Sequence, residues 1–255
     1  MSTATTSLNG LDDRLIERCE ELPADPAPGN YVIIDVLHFS NTVIELLANG
    51  ASHVHVTDER GDEFAYREAN PTAKIGGGRT PAFTPTQGYD FFNSPSYVQG
   101  LGLDGDPASL WSSNGGRALV ALRDRAGPDV DAYVGSTMNA LQLGTHLRET
   151  DRPTYLVAAG SKGDLAIEDL VGATLISRYL DGVPPARTEL ELFRRQVRTA
   201  RGAGYVDRHP IRRRDVCEYA MDFNARGVLP TLRGRSLIDL ATGSDRLAVA
   251  QPAAD

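Results

Sequence analysis

Apolar positions along the chain follow two recurring patterns. Short continuous runs rich in β-branched residues, such as 31–36 (YVIIDV), are typical of strands buried on both faces. Longer amphipathic segments, such as 189–201, predict helices. The predicted strands are 31–36, 53–57, 73–75, 110–113, 132–134 and 154–159. The predicted helices are 42–49, 62–70, 115–125, 137–148, 166–180, 189–201 and 213–224. Because strands alternate with helices, we expect an α/β fold: a three-layer α/β/α sandwich with a mainly parallel central sheet.

The two ends of the chain differ from this alternating region. Residues 1–29 form a polar lead with one predicted helix over 11–21, which the turn-forming sequence ADPAPG ends. Residues 30–240 are expected to form a single domain, within which 80–109 predict long loops. Residues 241–255 predict a flexible tail.

Composition and charge exclude several classes of protein. The net charge of −8 argues against nucleic acid and anionic membranes as partners. No apolar run approaches the roughly 20 residues of a membrane span, and no basic and apolar leader begins the chain, so we expect a cytoplasmic location. Cys19 and Cys217 lie far apart, which argues against a disulfide framework or a zinc site. Only two of the 26 basic residues are lysines, as in halophilic proteins or in those from GC-rich genomes.

Polar loops that follow strands are candidate sites, because ligands of open α/β sheets bind beyond the carboxyl ends of the strands. Asp35 ends an apolar strand, where an unpaired carboxylate is costly, so it is either a Mg²⁺ ligand or nucleophile, or the cap of a neighbouring helix. The turn 76–79 (GGGR) brings backbone and the Arg79 guanidinium within reach of an oxyanion, although a plain glycine turn explains it as well.

A second anion site is predicted at the start of helix 115–125. Asn114 precedes the helix, and Gly115 and Gly116 expose its first N–H groups. Arg117 lies in the first turn, where the helix dipole disfavours a cation, so a bound anion would account for it. We expect Arg117→Ala to weaken phosphate binding by about one to two decades.

Two further loops have the same position. Ser136 and Asn139 open helix 137–148, where Ser136 also suits a cap. Glu168 and Asp169 lie in the first turn of helix 166–180; either they favour the helix dipole, or one faces the cleft as a metal ligand or base. The chain lacks a GxxxxGK[ST] loop, a helix-opening GxGxxG and a GxSxG elbow, which argues against P-loop, dinucleotide and α/β-hydrolase sites.

Six of these segments, in order, resemble the 2-phosphosulfolactate phosphatase family. They are 34–42 (IDVLHFSNT), 76–81 (GGGRTP), 88–95 (GYDFFNSP), 112–119 (SSNGGRAL), 135–140 (GSTMNA) and 159–169 (AGSKGDLAIED). Residues 214–219 (RDVCEY) and 228–230 (VLP) are similar to the closing helix and strand of that family. The resemblance spans roughly residues 31–238.

The resemblance implies an α/β/α fold and Mg²⁺-dependent hydrolysis of 2-phosphosulfolactate to 3-sulfolactate, a step toward coenzyme M. It is compatible with a homodimer. Asp35 would bind the metal or attack the phosphate. The catalytic residues implied are Asp35, Asn114, Arg117, Glu168 and Asp169. The substrate-binding residues implied are Arg79, Asn93, Ser94, Gly115, Gly116, Ser136 and Asn139.

Three positions depart from the family pattern. His38 stands where the family has arginine, Gly78 where it has glutamate, and Gly116 where it has threonine. One positive and one negative group are therefore missing from the expected pocket. Two alternatives to 2-phosphosulfolactate hydrolysis stay open: a phosphatase for another small phosphorylated acid, and a non-catalytic anion-binding protein.

Overall fold

The computed structural model describes residues 11–202 and 204–241, which contain one ten-stranded sheet and eight α-helices. The strands are β1 (Leu15–Ile16), β2 (Gly29–Ile34), β3 (Val54–Thr57), β4 (Lys74–Gly77), β5 (Phe91–Phe92), β6 (Ala108–Trp111), β7 (Val130–Gly135), β8 (Thr154–Ala158), β9 (Pro230–Arg233) and β10 (Ser236–Asp239). The helices are α1 (Phe39–Ala48), α2 (Asp62–Ala69), α3 (Pro95–Val98), α4 (Gly115–Arg125), α5 (Ala140–Thr150), α6 (Ile167–Leu180), α7 (Arg187–Thr199) and α8 (Pro210–Arg214). The mainly parallel α/β sandwich predicted from the sequence is confirmed.

Strand β2 shows why the sheet has helices on both faces. Its successive side chains point to opposite sides, as in any strand. Tyr31 and Ile33 join the apolar cluster that includes α1 and α4, whereas Val32 and Ile34 join the cluster that includes α5 and α6. All four side chains are buried, so β2 lies at the centre of the core and its carboxyl end, Ile34, is also buried.

The strand order is β1-β8-β2-β7-β9-β10-β3-β6-β4-β5. Pairing is parallel within β1-β8-β2-β7 and within β3-β6-β4-β5. The β9–β10 hairpin joins these two halves through three antiparallel pairings. The sequence does not reveal this hairpin, because its strands are short and each contains polar residues.

Loops after strands of both halves nevertheless meet. The carboxylate of Asp35, which follows β2, accepts a hydrogen bond of 2.9 Å from the backbone N–H of Gly115, at the start of α4 after β6. The two parallel halves therefore contribute to one site.

The structure corrects two predicted helices. The helix predicted over 11–21 is wrong: Leu15–Ile16 forms β1 and pairs in parallel with β8, and Cys19–Glu21 is a single 3₁₀ turn. The helix predicted over 213–224 begins earlier, as α8, and continues into a π-helical segment, Asp215–Ala220. The loop predicted over 80–109 contains β5 and α3. Residues 1–10 of the predicted lead and 242–255 of the predicted tail lie outside the described residues.

None of the described helices combines the length and apolar character that crossing a membrane requires.

Helices α5 and α6 approach each other closely at Gly144. A Cβ there would lie 2.6 Å from the Tyr179 Cβ and 2.9 Å from the Ile176 carbonyl oxygen, which belongs to the α6 backbone. Overpacking against main chain costs up to about 3 kcal/mol, more than the roughly 1 kcal/mol that alanine gains in helix propensity. We therefore expect Gly144→Ala to lower the urea midpoint of unfolding, whereas Gly127→Ala, with open space around the added Cβ, leaves it unchanged. Equal midpoints would contradict this packing.

Candidate active site

A cleft of about 220 Å³ lies where the loops after β2, β4, β5 and β6 meet. The residues that line it are Asp35, Leu37, His38, Gly77, Arg79, Phe92, Asn93, Trp111, Ser112, Ser113 and Asn114. This set includes one carboxylate, one guanidinium and several neutral hydrogen-bonding groups. Such a lining suits a small anionic ligand.

Asp35 is the buried carboxylate of the cleft, with 2% of its surface exposed. Its main chain is tied to the start of α1: the Asp35 N–H donates to Ser40 Oγ, and the Asp35 carbonyl accepts from the Ser40 N–H. Its Oδ2 accepts from the Gly115 N–H, while Oδ1 has no hydrogen-bond partner among the described residues. One carboxylate oxygen is therefore positioned and the other is free to react or to bind a cation.

Burial raises the pKa of Asp35 to about 6. The hydrogen bond from Gly115, the charge of Arg201 and, to a smaller extent, the nearby backbone N–H of Phe39 oppose that rise, and the charge of Glu168 adds to it. The N-terminus of α4 thus receives the Asp35 carboxylate. The sequence predicts a bound anion at the start of this helix, whereas the structure places the Asp35 carboxylate at the Gly115 N–H.

Asp169 links two of the loops around Asp35. Its Oδ1 accepts from the Val36 N–H at 2.8 Å, and its Oδ2 accepts from the Gly160 N–H at 3.1 Å. Burial, followed by the charges of Asp35 and Glu168, raises the pKa of Asp169 well above its ordinary value. Because both of its oxygens are bound to backbone, Asp169 positions the loop that bears Asp35.

Glu168 is also fully buried. Its Oε1 lies 2.5 Å from Arg201 Nε, and neither carboxylate oxygen accepts a well-directed hydrogen bond from the described residues. Arg201 also donates to the carbonyl of Leu37 at 3.4 Å. The arginine therefore joins the acid of α6 to the loop after β2.

His38 places a neutral imidazole where the family pattern has a charged arginine. Burial lowers the pKa of His38; the charge of Asp215 opposes this shift, and those of Arg201, Arg212 and Arg79 reinforce it. Its Nε2 lies 3.2 Å from Tyr205 Oη, and its Nδ1 has no partner among the described residues. Positive charge near the cleft therefore comes from arginines of other segments.

At the other two positions that depart from the family pattern, Gly78 and Gly116, neighbouring atoms leave little room for a side chain. A Cβ at Gly78 would collide with the guanidinium of Arg60, so a glutamate does not fit there without moving Arg60. A Cβ at Gly116 would lie 3.1 Å from both Ser112 Cβ and the Thr57 carbonyl.

Four of the residues predicted to be functional lie elsewhere. Arg117 leaves the cleft and pairs with Glu20 at 2.5 Å, so its first-turn position is explained without a bound ligand. Ser136 and Asn139 are buried: Ser136 Oγ donates to Asn41, and Asn139 accepts from the Ser136 N–H and donates to the carbonyls of Val134 and Val228. Ser94 caps α3 and donates to Asp215.

Four of the remaining predicted residues line the cleft, Asp35 and Arg79 among them, whereas Gly116, Glu168 and Asp169 are not part of its lining. Asn93 and Asn114 line it, and Asn93 Oδ1 has no partner among the described residues. Gly115 binds Asp35.

Sequence reasoning missed Arg201, Tyr205 and Arg212. Arg212 lies in the basic run 208–214 (RHPIRRR), which does not follow a predicted strand. Arg201 and Tyr205 lie just before this run.

Two buried acids, Asp35 and Glu168, have carboxylate oxygens without a hydrogen-bond partner among the described residues. In the described part of the chain, no group of three or more acidic, histidine or cysteine side chains has the arrangement of a metal cage. Mg²⁺ often needs no such cage, since it binds one or two carboxylates, the substrate phosphate and water. The free Asp35 Oδ1 and the free oxygen of Glu168 could supply those carboxylate ligands.

Known proteins resemble this chain over most of its length. The family model for 2-phosphosulpholactate phosphatase matches residues 16–199. A probable 2-phosphosulfolactate phosphatase from Symbiobacterium thermophilum is 32% identical over 68% of this chain and 76% of the relative. Proteins of the same name from Deinococcus radiodurans and Gloeobacter violaceus are each 28% identical over 64% of this chain, and over 66% and 67% of the relatives. The chain therefore belongs to the 2-phosphosulpholactate phosphatase family, a family of phosphoric monoester hydrolases.

Proposed function

We propose that this chain is a Mg²⁺-dependent phosphatase that hydrolyses 2-phosphosulfolactate, or a closely similar small phosphorylated acid, to 3-sulfolactate and phosphate. The observation that supports it best is the free Oδ1 of buried Asp35 in a cleft that also contains Arg79. At about 220 Å³ the cleft is smaller than the roughly 300–1,000 Å³ typical of drug-sized ligands. A three-carbon acid is of suitable size.

Each residue near Asp35 has a distinct task in this proposal. The Gly115 N–H and the Ser40 hydroxyl orient the Asp35 loop. Asp169 positions the same loop from the other side. Asn93 and Asn114 offer side-chain amides to phosphate oxygens, and Arg79, which also lines the cleft, offers a planar guanidinium to another acidic group of the substrate. Phosphoryl transfer depends mainly on such positioning and charge neutralisation.

Asp35 would bind Mg²⁺, and Glu168, whose charge acts on Asp35, would supply the second carboxylate. When bound, the ion would neutralise phosphate charge and polarise the phosphorus–oxygen bonds. Asp35 is suited to this role because an ionised carboxylate with a free oxygen is costly in a buried site unless a cation compensates it. The proposed reaction takes place in the cytoplasm, the location expected from the sequence.

A phosphate-release assay tests the proposal. The purified protein is given 2-phosphosulfolactate, 2-phospholactate or glycerol 2-phosphate, with Mg²⁺ or with EDTA. We expect the highest kcat/KM for 2-phosphosulfolactate with Mg²⁺, loss of activity in EDTA, and recovery when Mg²⁺ is restored. A preference for a different phosphorylated acid would favour a diverged phosphatase. Binding of 3-sulfolactate without turnover of any ester would favour an anion-binding protein.

A further inference from the structure

Two arginines from distant segments approach one aromatic ring beside the cleft. Phe83, in the loop after β4, has its ring 3.8 Å from that of His209 in a parallel stack. The guanidinium carbon of Arg79 lies 4.0 Å from the centroid of the same ring, and that of Arg212 lies 5.1 Å from it. Arg79 and Arg212, the arginine pair, are thus held near each other although 133 positions separate them in sequence.

Tyr205 connects the arginine pair with the cleft. The Arg212 guanidinium lies 4.5 Å from the Tyr205 ring centroid, and the Tyr205 hydroxyl lies 3.2 Å from His38 Nε2. His38 and Arg79 both line the cleft. Arg212 is therefore linked to the margin of the cleft through Tyr205 and His38.

The charge of the arginine pair is uncompensated. Within residues 11–202 and 204–241, neither Arg79 nor Arg212 forms an ion pair, whereas Arg201 is paired with Glu168 and Arg226 with Glu45. Among the described residues, the Arg79 guanidinium donates a hydrogen bond to the carbonyl of Thr80, at 3.2 Å, and to no carboxylate. Burial and the neighbouring charge of Arg212 both lower the pKa of Arg79.

Contact with aromatic rings orients the two guanidinium groups but does not neutralise them. Two like charges in a partly buried position repel, and an anion that bridges them removes that repulsion while accepting charge-assisted hydrogen bonds. Asp215, a buried acid of this segment, is already bound by the Ser94 hydroxyl and the Ser96 N–H. We therefore expect a ligand to supply the anion that compensates the arginine pair.

We propose that Arg79 and Arg212 bind the second acidic group of the substrate, a sulfonate or a carboxylate, while its phosphate lies toward Asp35. This inference rests on the proposed function and extends it, since it assigns the preference for a doubly acidic ester to one site. Arg212 lies beyond residue 199, where the family match ends, so the match does not address this half of the site.

The test compares Arg212→Gln with Arg213→Gln, a neighbouring exposed arginine of α8. For 2-phosphosulfolactate, we expect Arg212→Gln to lower kcat/KM about tenfold, mainly through KM, and Arg213→Gln to leave it unchanged. For glycerol 2-phosphate, which has no second acid, neither variant should change it. A loss shared with 2-phospholactate identifies the bound group as the carboxylate, and a loss confined to 2-phosphosulfolactate identifies it as the sulfonate. An equal loss on all three esters would overturn the proposal.

Calorimetric titration with 3-sulfolactate separates this inference from the proposed function. Arg212→Gln and Arg79→Gln should each weaken binding about tenfold, Arg212→Lys should restore part of it, and Arg213→Gln should match the parent protein. If the parent protein hydrolyses no ester yet shows this binding pattern, the proposed function fails and the acid site stands. Unchanged affinity for 3-sulfolactate in Arg212→Gln and Arg79→Gln would contradict the proposed acid-binding site, whatever the activity.

Discussion

Asp35→Asn is expected to lower kcat by at least about 10³-fold, comparable to or larger than the loss of one oxyanion-hole donor, with the fold intact. Asparagine keeps an oxygen that can accept from the Gly115 N–H, but it has no charge with which to bind a cation or attack phosphorus. Steady-state kinetics with Mg²⁺ measures the effect. Asp25→Asn, the same change at an exposed carboxylate outside the cleft, serves as the control. Retention of more than a tenth of the parental kcat would exclude a central role for Asp35.

The same substitution has an opposite effect on stability. The pKa of Asp35 is about 6 in the folded protein against an ordinary 3.8, so folding disfavours its ionised form. This cost is absent below pH 3.8, develops as pH rises, and is complete above pH 6. In EDTA, Asp35→Asn should therefore be more stable than the parent by about 3 kcal/mol above pH 6, and the difference should vanish toward acid pH. Urea unfolding at several pH values tests this; a difference independent of pH would contradict it.

Arg201→Met is expected to lower the free energy of unfolding by about 3–5 kcal/mol, the usual cost of leaving one partner of a buried ion pair alone. Glu168 is 1% exposed, and Arg201 is the cation that compensates it. Methionine keeps much of the aliphatic packing of arginine but removes the charge. Urea unfolding at pH 8 measures the loss, and Arg195→Met, at an exposed position of α7, controls for the change of residue type.

A double variant distinguishes the ion pair from simple packing. If Arg201 matters through the charge of Glu168, then Glu168→Gln should recover much of the stability lost in Arg201→Met, because no buried charge is left unpaired. Additive losses in Glu168→Gln, Arg201→Met and the double variant would show that the two side chains do not interact.

The order of elements follows from the sequence, since the patterns that encode a buried strand or an amphipathic helix are local. Helix 115–125 has the predicted bounds, and the apolar run at 31–36 overlaps β2 over residues 31–34. Strand ends also indicate chemistry locally, so Asp35, Arg79 and Asn114 are recognisable as candidates, and all three line the cleft.

The contact partners of these side chains, by contrast, are decided by the tertiary structure. Asp35 receives the helix N–H that the sequence offers to a ligand, and Arg117 turns to Glu20. Asp169 binds Val36 across 133 positions of sequence, and Arg212 approaches the ring that also contacts Arg79. Such pairings depend on which segments the sheet brings together. In the middle of the sheet, the β9–β10 hairpin introduces antiparallel pairing between the two parallel halves. Local propensity contains no information about that choice, because the contact energies arise only once the core has packed.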